Sequence, residues 1–324
     1  MAQLKDRIKV ALDEGRMLIL GSQVLVGFQF RSVLEKGFEQ LPQSSQYIKL
    51  GALGLMLIAI GLLMSPGSYH RIVYEGEDAP QVHRFTTRVL SMALLPFAFA
   101  FGLDLYVVAR KQMGYTQGIV AGVCMTAVAL FFWYGLEMMR KSEHARGSRG
   151  KGRGEMEEQK EDGKGGTKLK DKIEQALTEA RVVLPGAQAL LGFQFASMLV
   201  EGFEKLPSSS KYVHLVSLCL IAVAVVLLMA PAAYHRIVEE GQDTEHFHRI
   251  ASRMLIASMF PLGLGICGEL FVVTRKVTES AMAALIFAGL MLLFFYGLWF
   301  GYTIYRRNAQ EAEQRETSRR QVTA

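Results

Sequence analysis

Apolar residues in this chain are gathered into long runs, and the charged residues lie between them. A helix needs about 20 mostly apolar residues to cross the hydrocarbon core of a bilayer. Four such runs lie near 17–34, 48–64, 89–109 and 119–139, and four more near 182–200, 213–229, 254–274 and 281–300. The pattern predicts an all-α polytopic membrane protein with eight transmembrane helices.

The second set of runs repeats the first. Leu4-Lys5-Asp6-Arg7-Ile8 returns as Leu169-Lys170-Asp171-Lys172-Ile173, and the ungapped match continues to Arg110-Lys111 against Arg275-Lys276. About half of the aligned positions are identical, and a period this long means a duplicated domain, well above the roughly 20–50 residues of a solenoid repeat. The expected organisation is a four-helix repeat over 1–140, a flexible charged linker over 141–167, a second repeat over 168–305 and a charged tail over 306–324. An even number of spans per copy inserts both the same way up, as in parallel-repeat membrane proteins. Ahead of each first span, Leu4, Ile8, Ala11, Leu12 and Gly15, echoed by Leu169, Ile173, Ala176, Leu177 and Ala180, form one apolar stripe. Such a stripe suits a short amphipathic helix lying at the interface.

Composition adds sidedness. The mean hydropathy is +0.21 and the formal net charge +6, but no basic stretch is interleaved with aromatics as in a single-strand binder, so no nucleic-acid partner is expected. Lys5, Arg7, Lys9, Arg16, Arg71, Arg84, Arg88, the linker and Arg306-Arg307 would share one side, leaving mainly Lys36, Lys49, Arg110 and Lys111 opposite. By the positive-inside rule both termini and the linker are cytoplasmic, in a multi-pass protein of the inner (plasma) membrane. Cys124, Cys219 and Cys267 fall in the predicted spans without metal-ligand spacing and read as small apolar side chains.

Two groups of polar residues stand out. Ionisable groups inside a bilayer are costly and ask for an explanation. Asp104 and its counterpart Glu269 sit late in the third spans, and Gln23, Gln29, Gln188 and Gln194 sit in the first spans. The carboxylates read either as groups paired with a neighbouring helix or as a cation or proton site; the amides read either as interhelical hydrogen-bond donors or as the lining of a polar pathway. The second group is basic: Tyr69-His70-Arg71, His83-Arg84 and Arg88, echoed by Tyr234-His235-Arg236, His248-Arg249 and Arg253. Pro66 and Pro231 stand just ahead, where the second spans are expected to end. These cations suit topogenic or headgroup-facing roles, with an anionic-ligand pocket as a rival. A remoter alternative is b-type haem held by His70 with His83 or His235 with His248, although an arginine beside each histidine suits haem poorly.

Motifs for metalloprotease, serine hydrolase, phosphate-binding loop and dinucleotide sites are missing from the sequence, so a non-enzymatic protein without metal or cofactor is expected. Its partners would be the bilayer and anionic lipid headgroups, with self-association left open. Two functions are carried forward: passage of a small ion or solute through a bundle at the repeat interface, or a structural or regulatory role in which the basic cytoplasmic face binds anionic lipid or a partner.

Gln23, Phe28, Pro66, Tyr69-His70-Arg71, His83-Arg84, Arg88 and their second-copy equivalents resemble an uncharacterised bacterial four-span membrane family known only as a domain of unknown function. The resemblance implies the fold class and a bacterial inner membrane, and no activity, substrate or cofactor. One unit per chain is usual for that family, so a tandem pair is a departure.

Overall fold

A computed structural model describes residues 2–77, 79–135, 169–237 and 244–322, and among them there are helices and no strands. The linker expected over 141–167 lies outside the described residues. The first copy comprises α1 (Ala2–Ser32), the single-turn α2 (Lys36–Glu39), α3 (Gln43–Tyr74), α4 (Pro80–Met113) and α5 (Tyr115–Leu130), which runs into a π-helical turn over Phe131–Gly135. The second comprises α6 (Leu169–Ser197), the single-turn α7 (Glu201–Glu204), α8 (Ser208–Ile237), α9 (Glu245–Thr278) and α10 (Ala281–Tyr296), which passes through a π-helical turn over Gly297–Gly301 into α11 (Tyr302–Val322).

Among the described residues six helices are long and apolar enough to cross a membrane: α3, α4, α5, α8, α9 and the α10–α11 helix. Neither α1 nor α6 is among them, because Gly21, Ser22, Gln23, Gly27 and Gln29, and in α6 Gly186, Gln188, Gly192 and Gln194, dilute their apolar runs. These two helices pack on each other and on α3 and α8, so protein shields much of the surface that lipid would otherwise meet. The amphipathic stretches are not separate interfacial helices; each is the opening part of α1 or α6. The residues expected as a charged tail continue as α11, which lies against α3.

Neither proline ends its helix. Pro66 sits inside α3 and Pro231 inside α8. Proline has no N–H to give the carbonyl four residues back, and at Pro66 that carbonyl, on Leu62, accepts instead from Ser65 Oγ at 2.8 Å. Membrane helices tolerate proline when such groups restore the lost bond. The end of α3 comes at Glu75 and Gly76, both with positive φ (51° and 82°), where the Gly76 N–H donates to His70 O at 3.2 Å.

Equivalent residues, 165 positions apart, meet where the copies join. Phe28 packs on Phe193 with ring centroids 4.3 Å apart, and Lys36 Nζ lies 2.5 Å from Glu201 Oε2. Within the copies, Arg110 Nη1 donates to Ser44 Oγ at 3.0 Å, just as Arg275 Nη1 donates to Ser209 Oγ at 2.9 Å. One apolar core runs through both halves, from Ile19 and Val26 through Leu57 and Ile60 to Leu262 and Phe295.

Candidate functional site

The carboxylates of the third spans do not stand alone. Gln29 Nε2 donates to Asp104 Oδ2 at 2.5 Å, and Lys49 Nζ to Asp104 Oδ1 at 2.8 Å. In the second copy Gln194 Nε2 donates to Glu269 Oε1 at 2.8 Å, and His214 Nδ1 lies 2.8 Å from the same oxygen. Each triad thus joins the end of the first helix, the start of the third and the later part of the fourth of its own copy. Lys49 and His214 were not expected here, yet they are equivalent positions.

Burial separates the two triads. Glu269 and His214 side chains are 5% and 1% exposed, whereas Asp104 and Lys49 are 27% and 16% exposed. The other ring nitrogen of His214 lies 3.2 Å from the Gln194 carbonyl. Both ring nitrogens therefore lie near acceptors, although Nδ1 does not meet the geometry of a hydrogen bond. A void of about 10 Å³ beside Gln194 and Glu269, reached by Phe30 of the first copy, has room for roughly one water.

The remaining two amides do not join these sites. Gln23 is fully buried with neither amide atom hydrogen-bonded, and it lies against Gly186, where a Cβ would fall 1.7 Å from Oε1. Gln188, its equivalent, is exposed. The structure thus brings Gln29 to Asp104 and Gln194 to Glu269, pairings the sequence alone did not specify, while the expected group of four amides splits.

At the opposite end of the bundle the basic residues divide by environment. His70, Arg71 and His248 are buried, and His83 and His235 are partly so. Arg71 Nη1 reaches across the copies to Ser252 Oγ at 3.1 Å; His248 Nε2 lies 3.3 Å from where a Cβ on Gly76 would stand. His235 packs on Phe247 with centroids 4.6 Å apart. The side chain of Arg236 lies outside the described residues. Arg84, Arg88, Arg249 and Arg253 are exposed in the opening turns of α4 and α9. Among the described residues no group of three or more His, Cys, Asp or Glu could hold a metal ion.

The six long apolar helices among the described residues, with large apolar side chains such as Leu95, Val123, Val226 and Leu293 turned outward, are those of a helical membrane protein. The chain belongs to the DUF6328 family, a family of unknown function, whose model matches it twice, over residues 3–137 and 165–303. The two matches agree with two tandem copies of one domain. No curated protein and no solved structure matches the chain.

Proposed function

We propose that this is a non-enzymatic inner-membrane protein of eight transmembrane helices, α1 and α6 being the two shielded central spans, whose basic face lies in the cytoplasm and binds anionic lipid headgroups. One observation carries the reading. Arg84, Arg88, Arg249 and Arg253 occupy equivalent positions, are exposed, and make no hydrogen bond or ion pair among the described residues. From Val89 to the end of α4 at Met113, the helix rises about 37 Å, enough to cross a hydrocarbon core of about 30 Å. Arg84 and Arg88 then fall at the headgroup level, where their stems lie along apolar surface and their guanidiniums reach phosphate. The same geometry holds for Arg249 and Arg253 in α9. Passage of an ion or solute at the repeat interface has less support, since both carboxylates are engaged by amide and base.

The test is native mass spectrometry after reconstitution in mixed phosphatidylglycerol and phosphatidylcholine. Each cation near an anionic surface contributes about 1 kcal/mol, so changing all four arginines to Gln should strip most retained anionic lipid. Changing them to Lys should keep most of it. Wild-type retention in the Gln variant would refute the proposal.

A further inference from the structure

An apolar groove of about 620 Å³ runs along α5, walled by α4 and by Ile48 of α3. We infer that it seats one acyl chain of a phospholipid from the non-cytoplasmic leaflet, whose phosphate rests on Arg110. The inference takes the membrane and its sidedness from the proposed function and uses none of the rim arginines. The groove follows from how α4 and α5 meet. They turn sharply at Gly114, whose φ is 105°, and then touch through further glycines. A Cβ on Gly118 would fall 2.9 Å from Arg110 Cβ, and one on Gly122 2.8 Å from the Gly102 carbonyl oxygen. Backbones this close leave the larger side chains on the flanks. One flank becomes the groove, lined by Tyr115, Ile119, Val123 and Leu130 of α5 with Phe99 and Leu103 of α4. In the second copy the fourth helix packs on α3 as well as on α9, whereas α5 packs on α4 and leaves this flank open.

Polarity along the groove selects the occupant. From Tyr115 to Leu130 the helix rises about 22 Å, more than the roughly 15 Å of hydrocarbon in one leaflet, and none of the described lining residues is charged. Polar groups gather at one end. Arg110 Nη1 donates to Tyr106 Oη and to Ser44 Oγ, each at 3.0 Å. Its guanidinium lies 5.9 and 5.4 Å from the ring centroids of Tyr106 and Tyr115, and both rings line the groove. Tyrosines at this level suit the membrane interface. Beside them Lys111 Nζ donates to the Gly37 carbonyl at 3.2 Å. The acceptors of both cations are therefore neutral, and neither cation forms an ion pair among the described residues. Lys276, the equivalent of Lys111, is instead paired with Glu39 at 2.7 Å. The Nε and Nη2 edge of Arg110 makes no hydrogen bond among the described residues, and such an edge matches a phosphate in bidentate fashion. A cationic mouth over a long apolar trough fits an amphiphile with an anionic head and an alkyl chain, and a phospholipid has both. The chain leaves one apolar surrounding for another, so the trough adds packing and position, while Arg110 supplies selectivity. At the positions of Gly102 and Tyr106 the second copy has Cys267 and Phe271, and so lacks the glycine and the hydroxyl that shape this site.

The full chain, purified in a neutral detergent, is loaded with phosphatidylglycerol and examined by native mass spectrometry. Wild type and the variant with Gln at all four rim arginines serve as backgrounds, so that lipid on the rim is counted apart. In both, one phosphatidylglycerol should stay bound through the groove. A charge-assisted hydrogen bond is worth roughly tenfold or more in affinity, so Arg110→Gln should weaken that lipid about tenfold or more. Arg110→Lys should weaken it several-fold, keeping the charge and losing the bidentate fork. Val123 is exposed in the groove wall, and Val123→Trp fills the trough while leaving both cations in place. Loss of the lipid in this variant separates a seated acyl chain from a headgroup held by charge alone. If Arg110→Gln fails to fold, Arg110→Lys and Val123→Trp decide. Equal retention in wild type and Val123→Trp, or in wild type and the Arg110 variants, overturns the groove while the membrane reading stands. A chain that stays dispersed in water without detergent would refute the membrane reading and the groove with it.

Discussion

The two copies share a plan but not a situation. Helix α3 of the first copy is enclosed, with 67% of its most apolar stretch buried, whereas its equivalent α8 has 39% buried. The difference arises at the end of the second copy. There α10, its π turn and α11 cross over to pack on α3, while the main neighbours of α8 are α6 and α9 of its own copy. Two glycines permit the crossing. A Cβ on Gly54 would lie 2.9 Å from Phe287, and one on Gly61 would lie 2.5 Å from Phe294. Trp299, fully buried, then donates its indole N–H to the Gly61 carbonyl at 2.8 Å. At the matching positions of α8 stand Cys219 and Val226, both exposed. Duplication therefore supplied two similar units, and a few small residues decided which one is wrapped.

The triads sharpen the contrast most. Removing the partner of a buried carboxylate costs about 1–3 kcal/mol or more, and less where, as at Asp104 and Lys49, 27% and 16% exposed, the site is more open. His214→Ala should thus destabilise the protein more than Lys49→Ala, measured by thermal unfolding in detergent. Glu269→Gln should be milder than His214→Ala, because the amide still offers His214 an acceptor. Equal losses at Lys49 and His214 would mean that burial does not separate the copies.

A middle-sized effect is expected at the crossing. Gly61→Val writes the second copy's residue into the first and drives a side chain into Phe294 and Phe295. Overpacking of this kind costs about 1–3 kcal/mol. A cysteine pair placed across α3 and α10 should cross-link in wild type and lose cross-linking in Gly61→Val. Val226→Gly, on the exposed face of α8, should change little beyond about 0.5 kcal/mol of helix propensity. Unchanged α3–α10 cross-linking in Gly61→Val would show that the glycine is not what admits α10.

These differences were unevenly visible in the sequence. Helix-forming runs and the duplication follow from periodicity, and the cost of a lone intramembrane carboxylate singles out Asp104 and Glu269 without assigning Gln29 and Gln194 to them as partners. Lys49 had been grouped with the cations opposite the termini, and His214 carried no signal of its own. Placing the two copies in register, 49 against 214, would have marked a position that keeps a base in both. Pro66 read as a stop because proline breaks the backbone pattern locally, yet Ser65 restores the bond from one residue away. The crossing of α10 to α3 was hidden for a different reason. It depends on which of two similar helices a third can approach, and Gly54 and Gly61 announce that only once Phe287 and Phe294 are seen against them.

The smallest expected effect lies at the end of the bundle opposite the arginine rim, where the copies are tied by charge. Lys276 Nζ and Lys205 Nζ approach Glu39 at 2.7 and 3.0 Å. The bond from Lys276, followed by that from Lys205, holds the Glu39 carboxyl down to about 2 from an ordinary 4.5. A depressed carboxylate contributes stability that is full above its unfolded value and is lost as the pH falls toward the folded one. The tie should therefore hold above about pH 4.5 and fade between there and about pH 2. Glu39 is 35% exposed and Lys205 47%, so water and salt screen much of the attraction, and exposed pairs contribute little. Only a shallow slope is expected. Glu39→Gln should flatten the fall in thermal stability over that window while leaving stability near pH 7 almost unchanged. In 1 M salt, where charges are screened beyond about 3 Å, wild type should lose most of the difference from the variant. A variant with the same acid profile as wild type at low salt would show that the Glu39 tie contributes nothing to joining the copies.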